Sequence, residues 1–90
     1  MEYHYPIDET WSKKEVIDVI HFFQMVENAY EKGVNRDDLL HSYTRFKQIV
    51  PSKSEEKKLC REFEKGSGYS CYHAVKRARS AERGAKLTMS

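Results

Sequence analysis

Cys60, Cys71 and His73 come closest in this chain to a set of side chains that can do covalent or metal chemistry. A zinc site needs several thiolate or imidazole ligands converging on one point. The chain has only these two cysteines and no Cys-x-x-Cys knuckle. Cys71 and His73 are two positions apart, which on a helix puts them on different sides. The four histidines, His4, His21, His41 and His73, are scattered. No metal or cofactor is expected. A cysteine nucleophile needs a depressed pKa and a nearby base. Cys71 falls in the first turn of a predicted helix, whose positive end lowers a thiol pKa, and basic residues follow it. That predicts mild reactivity; burial as a small apolar residue is the plainer reading. Glu55, Glu56, Glu62 and Glu64 alternate with Lys57, Lys58, Arg61 and Lys65, as on a solvated helix face. Gly66-Ser67-Gly68 lacks the spacing and the following Lys-Ser/Thr of a phosphate loop. These patterns predict no catalysis.

The basic residues near the C-terminal end carry the strongest binding signal. From Lys65 onward six cations stand against Glu82, a net of +5, so residues 1–64 sum to −3 within the overall +2. Tyr72, Lys76, Arg79 and Arg83 are spaced four, three and four and share one helical stripe, with Arg77 beside it. Lys76, Arg77, Arg79 and Arg83 are therefore candidate contacts for nucleic acid or for an acidic partner. The turn at Gly68-Tyr69-Ser70, between two predicted helices, loosely resembles a helix-turn-helix. A recognition helix presents its N-terminal residues to base edges; here those are Cys71, Tyr72 and His73, with no basic residue before Lys76. The pI of about 8.5 is also below the range of a typical nucleic-acid binder. Tyr3, Tyr5, Tyr69 and Tyr72 form no stacking platform without a sheet or groove to present them, and read as structural tyrosines.

The elements that must position these residues read as helices. Ser12 and Glu15 form a capping box, followed by Val16, Val19, Ile20, Phe23, Val26 and Tyr30 at threes and fours. Ile17, Phe22, Met25 and Ala29 widen that stripe, which predicts a central helix. Lys32 and Gly33 end it. Asn35 caps a second helix with Leu39, Tyr43, Phe46 and Val50 inside, and Pro51 stops it. Ser52 with Glu55 opens a third, sparsely apolar helix; Ser70 caps a fourth, with Cys71, Ala74, Val75 and Ala78 inside and Gly84 closing it. The predicted fold is all-α, a compact array of about four helices (roughly 13–32, 36–49, 53–65 and 71–83). Residues 1–11 are expected to form an extended arm packed across the helices, anchored in part by Trp11. Residues 85–90 are expected to fray, and no strand pair is expected. Ninety residues fit one domain with a thin core.

Four motifs in order now look familiar. Tyr5-Pro6-Ile7-Asp8 with Trp11, Tyr30-Glu31-Lys32-Gly33-Val34, Phe46-Lys47-Gln48-Ile49-Val50-Pro51, and Ser67-Gly68-Tyr69-Ser70 with Tyr72 resemble the YktA-like proteins of low-GC Gram-positive bacteria. The resemblance implies a compact helical cytosolic domain. It brings no reaction, ligand or site residue with it.

The functional expectation is a small non-catalytic protein-interaction or regulatory domain, with nucleic-acid binding by the basic fourth helix as the alternative. If the wide stripe of the first helix exceeds what its neighbours cover, the surplus forms a partner patch at Phe22, Met25 and Tyr30. The simplest partner for it is a second copy. No apolar run is long enough to cross a membrane, and the opening residues lack the basic flank and apolar core of a secretory signal. A cytoplasmic protein with two free thiols is expected.

Overall fold

Four phenylalanines explain how the helices meet. Phe22 and Phe23 are adjacent on one helix and project to two different neighbours. Phe22 lies 4.8 Å from Phe46, and Phe23 lies 4.7 Å from Phe63, both nearly parallel. All four rings are less than 2% exposed. Burying one such side chain contributes about 1.5–3 kcal/mol, and parallel ring pairs add about 0.5–1.5 kcal/mol. One residue pair thus ties three helices together.

The computed structural model describes residues 5–89; the expectations for Tyr3 and His4 lie outside that range. In chain order the elements are α1 (Lys13–Glu31), β1 (Val34–Asn35), α2 (Arg36–Ile49), α3 (Lys53–Ser67), α4 (Cys71–Ser80) and β2 (Lys86–Leu87). The all-α class is therefore the observed one, with residues 5–11 of the expected arm laid across it. Tyr5 stacks 6.2 Å from Phe23 and 6.3 Å from Phe63, and its hydroxyl donates to Glu27 Oε1 at 2.5 Å. Asp8 folds the arm back by accepting from the backbone N–H and the hydroxyl of Thr10. Those two bonds hold its carboxyl below the usual carboxylate range. Trp11 is partly buried against the core.

Helix starts follow the sequence signals. The Ser12–Glu15 capping box is complete: the Glu15 N–H donates to Ser12 Oγ, and the Ser12 N–H donates to Glu15 Oε1. Asn35 accepts from the N–H groups of Asp37 and Asp38. The second predicted box is only half made. Ser52 Oγ accepts from the Glu55 N–H, and the Ser52 hydroxyl otherwise meets Ser54.

Three details differ from the sequence reading. The buried stripe of α1 is Val19, Phe22, Phe23, Val26 and Ala29, while Ile17 is 57% exposed. It is rotated toward Phe22 because α2 covers that side, with Tyr43 and Phe46 against the ring. Next, α4 ends at Ser80, whose hydroxyl bonds the carbonyls of Lys76 and Arg77. Arg83 therefore lies off the helix. Finally, residues 86–87 are paired. Val34 and Asn35 face Leu87 and Lys86 in a short antiparallel ladder. Leu87 is 2% exposed, and the Met89 N–H donates to the Ala29 carbonyl at 2.9 Å. The chain doubles back at Gly84, which has φ +75°, and one buried leucine holds the strand down. A two-residue strand carries no periodicity from which to read it.

A basic groove between α2, α3 and α4

The chemistry-bearing residues separate into those that are packed away and those that meet. Among the described residues, no group of three His, Cys, Asp or Glu side chains converges as a metal site would require. Cys60 is partly buried, Cys71 is buried, and both are free thiols. The two thiols interact, and the Cys71 pKa is pushed up first by its hydrogen bond with Cys60 and then by burial. Burial, the plainer reading of Cys71, is what the structure shows, and a thiol activated by the start of α4 is not. The neighbouring sulfur and the apolar surroundings outweigh the helix end, and Cys71 stays protonated.

The basic residues are only partly together. Lys76 and Arg79 lie on the wall of a cavity of about 460 Å³ between three helices. Each helix contributes one stripe at spacings of three and four. From α2 come Tyr43 and Lys47; from α3, Lys53, Glu56, Lys57 and Cys60; from α4, Cys71, Tyr72, Val75, Lys76 and Arg79. Arg77 is exposed, one position round the helix from Lys76, and Arg83 is exposed beyond the end of α4; neither lines the cavity. Five cations thus stand against one carboxylate, Glu56, a net of +4.

The wall is prearranged. Lys47 Nζ donates to Glu56 Oε1 at 2.7 Å and to the Pro51 carbonyl at 3.4 Å. The Tyr43 hydroxyl donates to Glu56 Oε2 at 2.8 Å. The Arg79 guanidinium lies over the Tyr43 ring, 5.4 Å from its centre. Burial, then its hydrogen bond to Glu56 and the charge of that carboxylate, push the Tyr43 pKa up to about 12, so the phenol stays a donor. Ion pairs among the described residues are Arg36–Asp37, Arg45–Asp18 and Lys47–Glu56. Lys53, Lys57, Lys76 and Arg79 therefore have no carboxylate partner there. Like charges crowded into a concavity raise its potential and attract anions.

The residues expected as a partner patch are placed differently. Phe22 has no exposed surface, because α2 covers it, so it offers nothing to a partner. Met25 and Tyr30 are partly buried against the core. Tyr30 has a structural role: its ring stacks 4.6 Å from Tyr69, and its hydroxyl accepts from the Ser70 N–H. The side chains that sequence reasoning missed are Lys47, Lys53, Lys57, Tyr43 and Glu56. Their stripes were legible, with Lys53 and Lys57 four apart. That those stripes face α4 is a tertiary fact.

No helix among the described residues is long and apolar enough to cross a membrane. Residues 2–86 match the model of an uncharacterised protein family, UPF0223. A UPF0223 protein of Oceanobacillus iheyensis is 63% identical over 79 residues, 88% of this chain and 90% of that protein. YktA of Bacillus subtilis is 58% identical over 89 residues, 99% of this chain and the whole of YktA. A relative from Streptococcus equi subsp. zooepidemicus is 54% identical over 82 residues, 91% of this chain and 89% of that protein. The names of these relatives carry no reaction, ligand or partner. The four motifs quoted from the sequence thus lead to a family already catalogued without a function: the chain belongs to the uncharacterised protein family UPF0223.

Proposed function

We propose that the chain is a single-domain, non-catalytic binding module that takes an anionic partner in the groove between α2, α3 and α4. The observation that carries this is the charge of the groove: five cations from three helices around one carboxylate, four of them without an ion-pair partner among the described residues. A solvated helix face spreads its cations outward. Here four exposed cations, Lys53, Lys57, Lys76 and Arg79, and the half-buried Lys47 line one open groove together with Val75, Cys60 and Cys71. The reading without catalysis is supported by the groups that a reaction would use. Cys71, the candidate nucleophile, has a raised pKa, so less of it is present as the reactive thiolate.

Inorganic tripolyphosphate is the simplest probe. It is expected to bind at low salt and to weaken as salt screens the site. The double variant Lys53→Glu/Lys57→Glu is expected to weaken binding by about tenfold or more, since reversing charges inside a site costs more than changing them at its rim. Arg77→Glu/Arg83→Glu, outside the groove, is expected to change it by about twofold or less. Equal losses in both variants, or no binding by the wild type, would remove the groove as the site.

A further inference from the structure

The groove wall carries one large aromatic side chain that stays mostly exposed. Tyr72 is 66% exposed, and it is the one groove-lining residue among the exposed large apolar side chains, the others being Ile7 and Ile17. His73 meets its ring edge-on at 5.4 Å, with the planes 68° apart. Lys76 Nζ lies 5.9 Å from the ring centre. The ring therefore stands largely in solvent at the margin of a cationic cavity, with the Lys76 ammonium over it.

We infer that the groove takes a free nucleotide, its phosphates held by Lys53, Lys57 and Lys76 and its base stacked on Tyr72. This rests on the anion-binding reading above and names the ligand class for that same site. Size supports it: about 460 Å³ lies within the roughly 300–1,000 Å³ of small-molecule sites, too little for a folded partner. Charge density supports a polyphosphate over an acidic peptide. A peptide brings one carboxylate per residue, spaced by roughly 3.3–3.6 Å of extended chain, whereas a terminal phosphate alone brings about −1.5 to −2. A net of +4 within one small cavity matches the denser anion. The aromatic face supplies the second half of the ligand. Every base has a π-face, and base–aromatic stacking is worth enough to read by substitution. Val75 and the two thiols line the same cavity and give it an apolar part, suited to the carbon face of a sugar.

Calorimetric titration of the whole chain tests this, with ATP in the presence of a chelator, tripolyphosphate, adenosine, a short single-stranded oligoribonucleotide and poly-glutamate as separate ligands. ATP is expected to bind about tenfold tighter than tripolyphosphate. Tyr72→Leu is expected to weaken ATP by about fivefold or more and to leave tripolyphosphate within about twofold. Tyr72 is exposed, so the variant should melt with the wild type, which thermal unfolding checks. If tripolyphosphate binds as tightly as ATP, or Tyr72→Leu weakens both alike, the nucleotide assignment falls and the anion groove stands. If no phosphate binds, both fall. An oligoribonucleotide or poly-glutamate that binds about tenfold tighter than ATP overturns the assignment in favour of a strand or an acidic polypeptide.

Discussion

Glu56 is the residue on which the groove wall turns. Its two oxygens are bound by Lys47 and Tyr43, so the site already holds one anion of its own. Glu56→Gln removes that charge and releases Lys47. Anion affinity should rise by about threefold or more, measured by tripolyphosphate titration. The same variant should move Tyr43. Its pKa of about 12 arises from burial first and Glu56 second, so in Glu56→Gln it should fall but stay above the ordinary 10.0. The consequence for stability has a definite sign. A phenol whose folded pKa is raised favours folding fully below pH 10, and that contribution is lost as pH climbs from about 10 to about 12. The wild type should lose stability across that window and Glu56→Gln should lose less, read from denaturant midpoints with phenolate absorbance alongside. In the core, Phe22→Ala should cost about 3–5 kcal/mol, because Phe46 and Tyr43 cannot both relax into the space. A loss under about 1 kcal/mol would mean that the ring is not part of the core.

At the scale of elements, much was legible because local rules decide the ends of helices. Ser12, Asn35, Ser52 and Ser70 each cap the helix expected of them. Gly33 and Gly68 both take left-handed backbone, φ +95° and +82°, where a side chain costs about 1–2 kcal/mol. They differ in surroundings. A Cβ at Gly68 meets open space, whereas at Gly33 it would approach Lys86 Cε, Thr88 Oγ1 and the Leu87 carbonyl. Gly33→Ala should therefore destabilise more than Gly68→Ala, by about 1 kcal/mol or more in chemical denaturation. Equal effects would mean that residues 86–88 do not pack there. What could not be read from the sequence is the rotation of an element about its axis. The α1 stripe is wide enough to accept several rotations, and only the meeting of Phe22 with α2 and Phe23 with α3 selects one. The stripe of Lys53 and Lys57 is exposed, as its pattern suggests, and also lines the groove. Its meaning depends on α4 lying opposite.

For the molecule as a whole, charge divides differently in space and in sequence. The chain sums to −3 before Lys65 and +5 from Lys65 onward. Yet Lys47, Lys53 and Lys57, from the acidic part, complete the basic groove with Lys76 and Arg79. Counting along the chain therefore points to one helix, whereas the cations that line the groove come from three. The C-terminal strand is the other whole-molecule feature. It ties the end of the chain to α1 through the Ala29 carbonyl and to the start of α2, where the Arg36 N–H donates to the Ala85 carbonyl at 2.9 Å. The Arg36 side chain also donates to the Ala78 carbonyl, satisfying the end of α4. Truncation after Gly84 should lower stability by about 2–3 kcal/mol through loss of buried Leu87, and the melting temperature by roughly 10 °C. An unchanged melting curve would show the strand to be dispensable.

The account stands most directly on where an anion binds. Backbone amide NMR during a titration with tripolyphosphate at low salt locates it residue by residue. The prediction is saturable shifts confined to Lys47, residues 53–60 and residues 71–79, three segments far apart in sequence that share one cavity. Shifts centred instead on Arg77 and Arg83, spread evenly over the exposed lysines, or absent at saturating ligand would contradict it.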